Sequence, residues 1–288
     1  MKKWNYAKKR GFRRDVALIP GYLAVGFWVL FTAALIIWIL CASLSTTREI
    51  FGGSVFQFGT GAHWENYAKA WSDNKVSVYF LNSVLYSGLG CLLVIVISAP
   101  AAYALSRFYF RANAFLQKMF VAGMSIPSIM IIMPLFSIVS SLKLTNSRVM
   151  LIFLYTCMCV PFTVFFLFTF FKNLSTSFEE AAEVDGCSPV GAFWKIMLPL
   201  AQPGIITATI FNFITLWNEY FMALIFAYKT DVRPVAVGLY SMIQSMRYTG
   251  DWGGMFAAVV IVFLPTFILY IFLSEKIIAG VTGGGVKQ

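Results

Sequence analysis

Six long apolar runs dominate this sequence and limit the folds that are open to it. Several exceed the roughly 20 residues that an α-helix needs to cross a hydrocarbon core of about 30 Å. Closed barrels also span lipid, but their strands alternate apolar and polar residues over about ten positions. With 59% hydrophobic and 12% charged residues, the chain has too little polar surface to cover a soluble globule. The sequence predicts an all-α membrane protein with six transmembrane helices, at residues 18–44, 79–105, 115–141, 149–171, 203–227 and 254–274.

The basic residues indicate how these helices are oriented. An even number of spans puts both termini on one side, and placing that side in the cytoplasm gives fourteen Lys and Arg inside against eight outside. Cytoplasmic flanks carry such an excess, so the net charge of +10 reflects topology rather than nucleic-acid binding. The first run is too long for a cleaved signal peptide. We predict a cytoplasmic tail at 1–17, a first span at 18–44, an external segment at 45–78, a core at 79–274 and a glycine-rich cytoplasmic tail at 275–288.

Residues 172–202 lie between the fourth and the fifth apolar run. They form the longest interruption between apolar runs after the second span and are here called the coupling segment. Its central part, Phe178–Leu200, holds four of the chain's twelve acidic residues together with large apolar side chains at helical spacing. A solvated loop would not carry so many apolar side chains, so we interpret it as short amphipathic helices that contact another protein in the cytoplasm.

Local signals predict where those short helices begin and end. Ser177 stands three residues before Glu180, the spacing of a capping box that would start the first helix. Ser188, followed by a proline, predicts the start of the second helix. Gly186 is expected to end the first helix and Pro199 the second.

Polar residues inside the apolar runs are the candidates to line a transport pathway. A carboxylate at membrane depth costs a few kcal/mol and needs a partner or a cavity. Counting about 1.5 Å per residue from Gly204 puts Glu219 about 22 Å along the fifth helix. Glu219 either lines the pathway or makes a hydrogen bond between helices, to Arg233 or Asn82. The candidate pathway residues are Asn82, Asn218, Glu219 and Tyr220.

Other features carry less functional information. The third run contains Pro127 and Pro134, which predict a kinked helix that either borders a pathway or only packs irregularly. His63 is the only histidine and has no second ligand, so no metal site is expected. The runs contain no pair of catalytic carboxylates and no nucleophile with a base, so no catalytic residue is predicted.

The coupling segment resembles the EAA signature of the permeases of ABC importers. Glu180, Ala181 and Ala182 are followed after three residues by Gly186, after nine more by Ile196, and then by Leu198 and Pro199. Further short matches are similar to carbohydrate-importer permeases of the MalG-like kind and extend the resemblance over residues 15–288. They are NSV at 82–84, AYALSR at 102–107, WNEY at 217–220, VGL at 237–239 and the final GVTGGGVK.

The resemblance implies a MetI-like, type I importer fold in a bacterial cytoplasmic membrane, with the coupling segment between the fourth and fifth helices. It implies a second homologous permease, two ATPase subunits that hold ATP and Mg²⁺, an extracellular solute-binding lipoprotein and a sugar substrate. This chain itself would need no cofactor. An ion-coupled secondary transporter and a membrane enzyme or scaffold are the alternatives.

The resemblance also assigns two sets of residues to ATPase contacts. The coupling segment would dock into the ATPase subunit, and the glycine-rich tail would reach between the two ATPase subunits. The docking residues are Glu180, Ala181, Ala182, Asp185, Gly186, Phe193, Ile196, Leu198 and Pro199, and the tail residues are Gly283, Gly284, Gly285 and Lys287.

Overall fold

The computed structural model describes residues 11–283, with side chains at 18–246 and 248–273, and these residues form helices joined by turns. Four of the six predicted long helices are present as single helices, and shorter helices lie between them. In chain order they are α1 (Gly11–Ser43), α2 (Thr47–Phe51), α3 (Glu65–Trp71), α4 (Val76–Arg107), α5 (Asn113–Ser125), α6 (Ser128–Ser141), α7 (Arg148–Asn173), α8 (Ser177–Val184), α9 (Pro189–Ala192), α10 (Leu198–Leu200), α11 (Gln202–Trp217), α12 (Phe221–Phe226), α13 (Val235–Thr249) and α14 (Trp252–Gly283).

By length and composition, four helices of the described residues can each cross a membrane, or up to six spans exist if each of two bent pairs is one span. The single helices are Leu18–Ser43, Val76–Arg107, Arg148–Asn173 and Trp252–Leu273. The bent pairs are Asn113–Ser125 with Ser128–Ser141, and Pro189–Leu200 with Gln202–Trp217.

The third predicted span is broken rather than kinked. Helices α5 and α6 meet at 97°, and the two residues between them, Ile126 and Pro127, have extended backbone. A residue before proline is disfavoured in the α region, which explains why α5 ends at this point. Pro134 lies inside α6 and does not interrupt it. The sequence therefore located a bend correctly but underestimated it.

The fifth predicted span, 203–227, is also interrupted. Helix α11 ends at Trp217, and the short α12 begins only at Phe221. Between them the carboxylate of Glu219 accepts hydrogen bonds from the backbone N–H groups of Met222 (2.7 Å) and Ala223 (3.1 Å). An acidic side chain that satisfies the free N–H groups of a new helix favours such a restart. The expectation of a continuous helix with Glu219 22 Å along it is wrong.

The core of the molecule is built around α4 and α7, which lie side by side and run in the same direction. At one end of this pair, Tyr86 and Tyr155 pack at right angles with their ring centroids 6.3 Å apart. At the other end, Tyr103 packs on Phe171, with centroids 5.5 Å apart. These buried aromatic contacts fix the two helices against each other over most of their length.

Helix α1 packs differently from α4 and α7. No residue of α1 between positions 18 and 41 is buried. Exposed large apolar side chains occur along this part of the helix, including Phe27 and Leu30. Near its C-terminal end, Trp38 packs edge-on against Phe256 of α14 with centroids 5.2 Å apart. The apolar surface of α1 is therefore available to lipid or to another membrane helix.

Hydrogen bonds to one carboxylate organise the segment between α1 and α3. Glu49 accepts from the backbone N–H and hydroxyl of both Thr46 and Thr60, at 2.8–3.0 Å. These bonds lower the pKa of Glu49 to about 2, and the one from the Thr46 N–H contributes most to the lowering. His63 lies between the Thr60 hydroxyl and the carboxylate of Glu65, which is 2.5 Å from Nδ1.

Gly253 marks the close contact between this segment and α14. A Cβ at residue 253 would lie 2.5 Å from the Ser45 carbonyl oxygen and 2.6 Å from Nδ2 of Asn66, which itself donates to the Ser43 and Ser45 carbonyls. Gly253→Ala is therefore expected to lower stability by about 1–3 kcal/mol, the usual effect of overpacking.

Thermal unfolding of the purified protein in detergent tests this expectation. Gly88→Ala is the matched control, because a Cβ there meets nothing within 4 Å on the exposed face of α4. An unchanged or higher melting temperature for Gly88→Ala and a lower one for Gly253→Ala is the expected result. Equal shifts for the two variants would contradict the close contact.

Candidate functional site

The coupling segment forms a compact helical unit at one end of α4 and α7. It consists of α8, α9, one π-helical turn over Phe193–Met197, and α10. The predicted pair of short amphipathic helices is therefore present, although the second of them is divided by the π-helical turn.

The predicted capping box at the start of α8 is wrong. Thr176 is the N-cap residue, it has helical backbone angles, and its side chain makes no capping bond. The backbone N–H groups of Glu179 and Glu180 both donate to the Thr176 carbonyl, at 2.9 and 3.0 Å. Ser177 thus lies one position inside the helix, where its hydroxyl cannot act as the cap.

The predicted end of α8 at Gly186 is confirmed. Gly186 has φ +75°, and its N–H donates to the Glu183 carbonyl while the N–H of Cys187 donates to the Ala182 carbonyl, at 2.9 and 2.8 Å. This pair of bonds is the Schellman motif, which needs a left-handed residue where glycine stands. Ser188 caps α9 as predicted, since its hydroxyl accepts from the Gly191 N–H at 3.2 Å.

Pro199, in contrast, does not end the second helix. The chain continues through α10 to Leu200, and the 72° bend to α11 follows at Ala201. A proline inside a helix removes the hydrogen bond to the residue four positions earlier, here Lys195. The π-helical turn that contains Lys195 absorbs this loss, so the helix survives the proline.

The inner face of the coupling segment packs on its own chain. Ala182, Phe193 and Met197 are buried, and the ring of Phe193 lies 5.0 Å from Tyr103 of α4 and 6.4 Å from Phe171 of α7. The resemblance assigned Ala182 and Phe193 to ATPase contacts. In this structure their side chains are buried, and Phe193 packs on the transmembrane helices of the same chain.

An ion pair adds a polar connection beside this aromatic contact. Nε of Arg107, in the last turn of α4, lies 3.0 Å from Oε2 of Glu179 in the first turn of α8, and both side chains are largely buried. A second guanidinium nitrogen donates to the Leu174 carbonyl at 2.8 Å. Arg107 therefore links the coupling segment to α4 at two points.

The outer face of the segment is exposed and carries both charges and apolar side chains. The predicted docking residues on it are Glu180, Ala181, Asp185, Gly186 and Pro199, while Ile196 and Leu198 are half-buried against the core. Other exposed apolar residues of the segment are Phe178, Val184, Val190 and Trp194. A shallow apolar groove of about 210 Å³ between α4 and this face is lined by Pro100, Tyr103, Phe108, Pro189, Val190, Phe193 and Trp194. Charged residues beside exposed aromatic and aliphatic side chains are typical of a surface that binds another protein.

The interruption between α11 and α12 is the second candidate site. Besides its two backbone partners, the Glu219 carboxylate accepts a hydrogen bond from the buried Tyr155 hydroxyl at 2.8 Å. The hydrogen bond between helices is therefore present, but the predicted partners are wrong. Arg233 donates to the Tyr228 carbonyl and the Ser241 hydroxyl. Asn82 donates to the carbonyls of Asp231 and Arg233.

The four predicted pathway residues do not lie on one surface. Asn82 is buried with 4% exposure, and its amide holds the α12–α13 connection rather than facing a pathway. Asn218 is exposed and bonds back to the Ile214 carbonyl. Tyr220 is half-buried against Tyr240, with ring centroids 5.4 Å apart.

Among residues 11–283, no three side chains of His, Cys, Asp or Glu come together to hold a metal ion. Gly283 is the last residue of α14. Gly284, Gly285 and Lys287 of the predicted ATPase-contacting tail lie outside the described residues.

The fold and the sequence are similar to those of known transport proteins. A bacterial ABC transporter structure, involved in the import of the acidic polysaccharide alginate, matches over 92% of this chain and 98% of its own, with a TM-score of 0.79 and 23% identity. A diacetylchitobiose uptake system permease protein, NgcG from Streptomyces coelicolor, is 34% identical over 94% of this chain and 89% of its own. A trehalose/maltose transport system permease protein, MalG from Thermococcus litoralis, is 30% identical over 95% and 97%.

These matches do not support the ion-coupled alternative. The family model described as the inner membrane component of binding-protein-dependent transport systems matches residues 91–275, which include the whole coupling segment and the α11–α12 interruption. The chain belongs to this family of inner membrane transport components.

Proposed function

We propose that this chain is the transmembrane permease subunit of an ATP-driven ABC importer for sugars, in which the coupling segment receives the motion of an ATPase subunit. The observation that carries the proposal is the division of this segment into two faces. Its inner face is fixed to α4 and α7, while its outer face exposes acidic and aromatic residues such as Glu180 and Trp194. A segment of this kind can bind a partner and pass on its movement.

The family supports the partners that we propose. Two ATPase subunits hold ATP and Mg²⁺, a second homologous permease completes the pathway, and an extracellular solute-binding lipoprotein delivers the substrate. The names of the relatives, which include diacetylchitobiose and trehalose/maltose transport, favour a sugar as that substrate. The catalytic step therefore belongs to the ATPase subunits and not to this chain.

The proposed topology places both termini in the cytoplasm of a bacterial cell. The bent pair α5 and α6 then counts as one span and α11 as the fifth, which gives six spans. The coupling segment, which includes Pro189–Leu200, then lies on the cytoplasmic side between the fourth span and the fifth. The excess of Lys and Arg in the segments assigned to the cytoplasm supports this orientation. The tail at Gly283–Lys287 would form a second contact with the ATPase subunits.

The geometry suggests how the motion crosses the membrane. Helix α4 is one uninterrupted helix of 32 residues, attached to the coupling segment through Arg107 and to the α12–α13 connection through Asn82. At about 1.5 Å per residue these two attachments lie about 38 Å apart. Because this rigid helix is attached at both ends, closure of the ATPase subunits would also move the α12–α13 connection on the external side. This movement would switch the pathway between its inward-open and outward-open states.

The α11–α12 interruption lies at the outer end of this connection. We place Asn218 and Tyr220 along the pathway, since unwound backbone inside a membrane occurs where it lines a cavity or packs on protein. Glu219 contributes by holding the interruption in place through Tyr155, Met222 and Ala223. Asn82 acts through the α12–α13 connection.

Variants of the outer face test the proposed docking. Glu180→Lys and Trp194→Ala alter exposed side chains, so the chain is expected to insert normally. An interface residue that contributes about 2 kcal/mol or more changes affinity by about 30-fold when it is removed. We therefore expect co-purified ATPase and sugar uptake to fall at least about 10-fold.

Asp73→Lys provides the matched control, because it reverses an exposed carboxylate in the segment between α3 and α4. Quantitative blots of ATPase subunits retained on the affinity-tagged chain, together with uptake by whole cells, give the readout. Normal ATPase retention and uptake in both outer-face variants would show that this face does not dock the ATPase.

A further inference from the structure

Helix α13 has one face that packs on its own chain and one that does not. Val235, Met242 and Met246 are buried, and a Cβ at Gly238 would lie 2.2 Å from the ring of Tyr79, so this face is pressed against α4 and α14. The close glycine contact fixes the rotation of α13 about its axis. Tyr240 must consequently lie on the opposite, open face, where it is 41% exposed.

The open face of α13 meets the α11–α12 interruption. The rings of Tyr240 and Tyr220 contact each other at 5.4 Å with an interplanar angle of 67°. Gln244 is exposed one turn after Tyr240, on the same side of the helix. Asn218 is exposed two residues before Tyr220. These four residues, Asn218, Tyr220, Tyr240 and Gln244, are here called the tyrosine patch.

The chemistry of the tyrosine patch matches one class of ligand. The two angled rings offer apolar surfaces to the C–H face of a pyranose, and the two amides can donate to and accept from its hydroxyl groups. None of the four side chains is charged near neutral pH, so the patch would recognise ring shape and hydroxyl positions rather than an acidic group. The guanidinium of Arg233, which reaches Ser241 beside Tyr240, is engaged with the Tyr228 carbonyl and the Ser241 hydroxyl.

We infer that the tyrosine patch is a sugar-contacting site of this chain, in which Tyr240 and Tyr220 stack on a pyranose ring as it passes through the importer. The inference rests on the proposed function, because it assigns the substrate contact within that pathway. It adds Tyr240 and Gln244 of α13 to the residues that determine which sugar is imported.

Whole-cell uptake tests the inference with all partners present. The chromosomal copy of this chain is replaced by a variant, and initial rates are measured with radiolabelled diacetylchitobiose, trehalose and maltose and with monodeoxy analogues of each sugar that the wild type imports. Tyr240→Leu keeps an apolar side chain but removes the ring. We expect its maximal rate to fall about 2- to 10-fold, the effect of a lost aromatic contact. The fall should be unequal among the sugars and analogues, whereas Tyr240→Phe should keep most of the rate.

Tyr248→Leu is the matched control, since Tyr248 is 91% exposed two turns beyond Tyr240 on α13. It should leave the uptake rates unchanged, with equal chain levels in the membrane. Equal losses in Tyr240→Leu and Tyr248→Leu would mean that these tyrosines anchor the helix at the membrane surface, and would overturn the inference. An equal fall for every sugar and analogue would indicate a docking defect and would also overturn it.

Two further outcomes separate the inference from the proposed function. Import by the wild type with an unchanged rate in Tyr240→Leu would overturn only the inference. Failure of the wild type to import these three or any other sugar would contradict the proposed sugar import together with the inference.

Discussion

Arg107→Glu is expected to abolish sugar uptake, with a loss of at least about 100-fold, while the chain remains in the membrane. The variant would place two carboxylates together where Nε of Arg107 and Oε2 of Glu179 now lie 3.0 Å apart. It would also remove the hydrogen bond to the Leu174 carbonyl. Removing one partner from a buried pair costs about 3–5 kcal/mol, and 2.7 kcal/mol already corresponds to about 100-fold.

The reason for so large an effect is the position of the pair. The side chains of Arg107 and Glu179 are only 11% and 19% exposed, so solvent screens them poorly. Repulsion at this point would detach α8 from α4, and closure of the ATPase subunits would then move the coupling segment without moving the transmembrane helices. ATP hydrolysis by the purified complex should persist although uptake is lost.

The double variant Arg107→Glu with Glu179→Arg is expected to recover part of the uptake, because it restores an ion pair with reversed charges. Arg111→Glu is the control, since Arg111 is exposed in the turn between α4 and α5. Uptake and ATP hydrolysis are measured on equal amounts of assembled complex. Uptake close to that of the wild type in Arg107→Glu would refute the role of this ion pair.

The different positions of Glu179 and Glu180 show what sequence patterns can predict here. The signature at Glu180–Pro199 located the coupling segment, and Gly186 and Ser188 set local turns because their effects depend on backbone geometry alone. Which of two adjacent glutamates turns inward depends instead on Arg107, more than 70 residues earlier. No local periodicity contains that information.

The membrane part of the chain shows the same limit. Apolar runs predicted helices well wherever burial alone decides, as in α4 and α7. The interruption within the run 203–227 was not predicted, because helix propensity and hydropathy do not report that Glu219 would satisfy the backbone at the start of α12. A carboxylate in an apolar run is a signal of such a site, but its partners follow only from the packing of α7 beside it.

Glu219→Leu is expected to destabilise the protein strongly. Three donors now bond to the carboxylate of Glu219, namely the Tyr155 hydroxyl and the N–H groups of Met222 and Ala223. Each donor left buried without an acceptor costs about 1–3 kcal/mol, so the combined loss is about 3 kcal/mol or more. Tyr155 has 0% exposure, which leaves its hydroxyl no access to solvent after the change.

Glu219→Gln separates the hydrogen bonds from the shape of the side chain. Glutamine keeps one acceptor oxygen, but its NH₂ group would face one of the donors, so we expect a smaller but clear loss of thermal stability in detergent. Asn218→Leu is the control, because this exposed neighbour bonds only back to the Ile214 carbonyl among the described contacts. A double-mutant cycle with Tyr155→Phe should give a coupling of about 0.5–3 kcal/mol, since the two groups share one hydrogen bond. If Glu219→Leu unfolds at the wild-type temperature, or if the cycle shows no coupling, Glu219 does not hold the interruption in place, and the pathway would need another support at this depth.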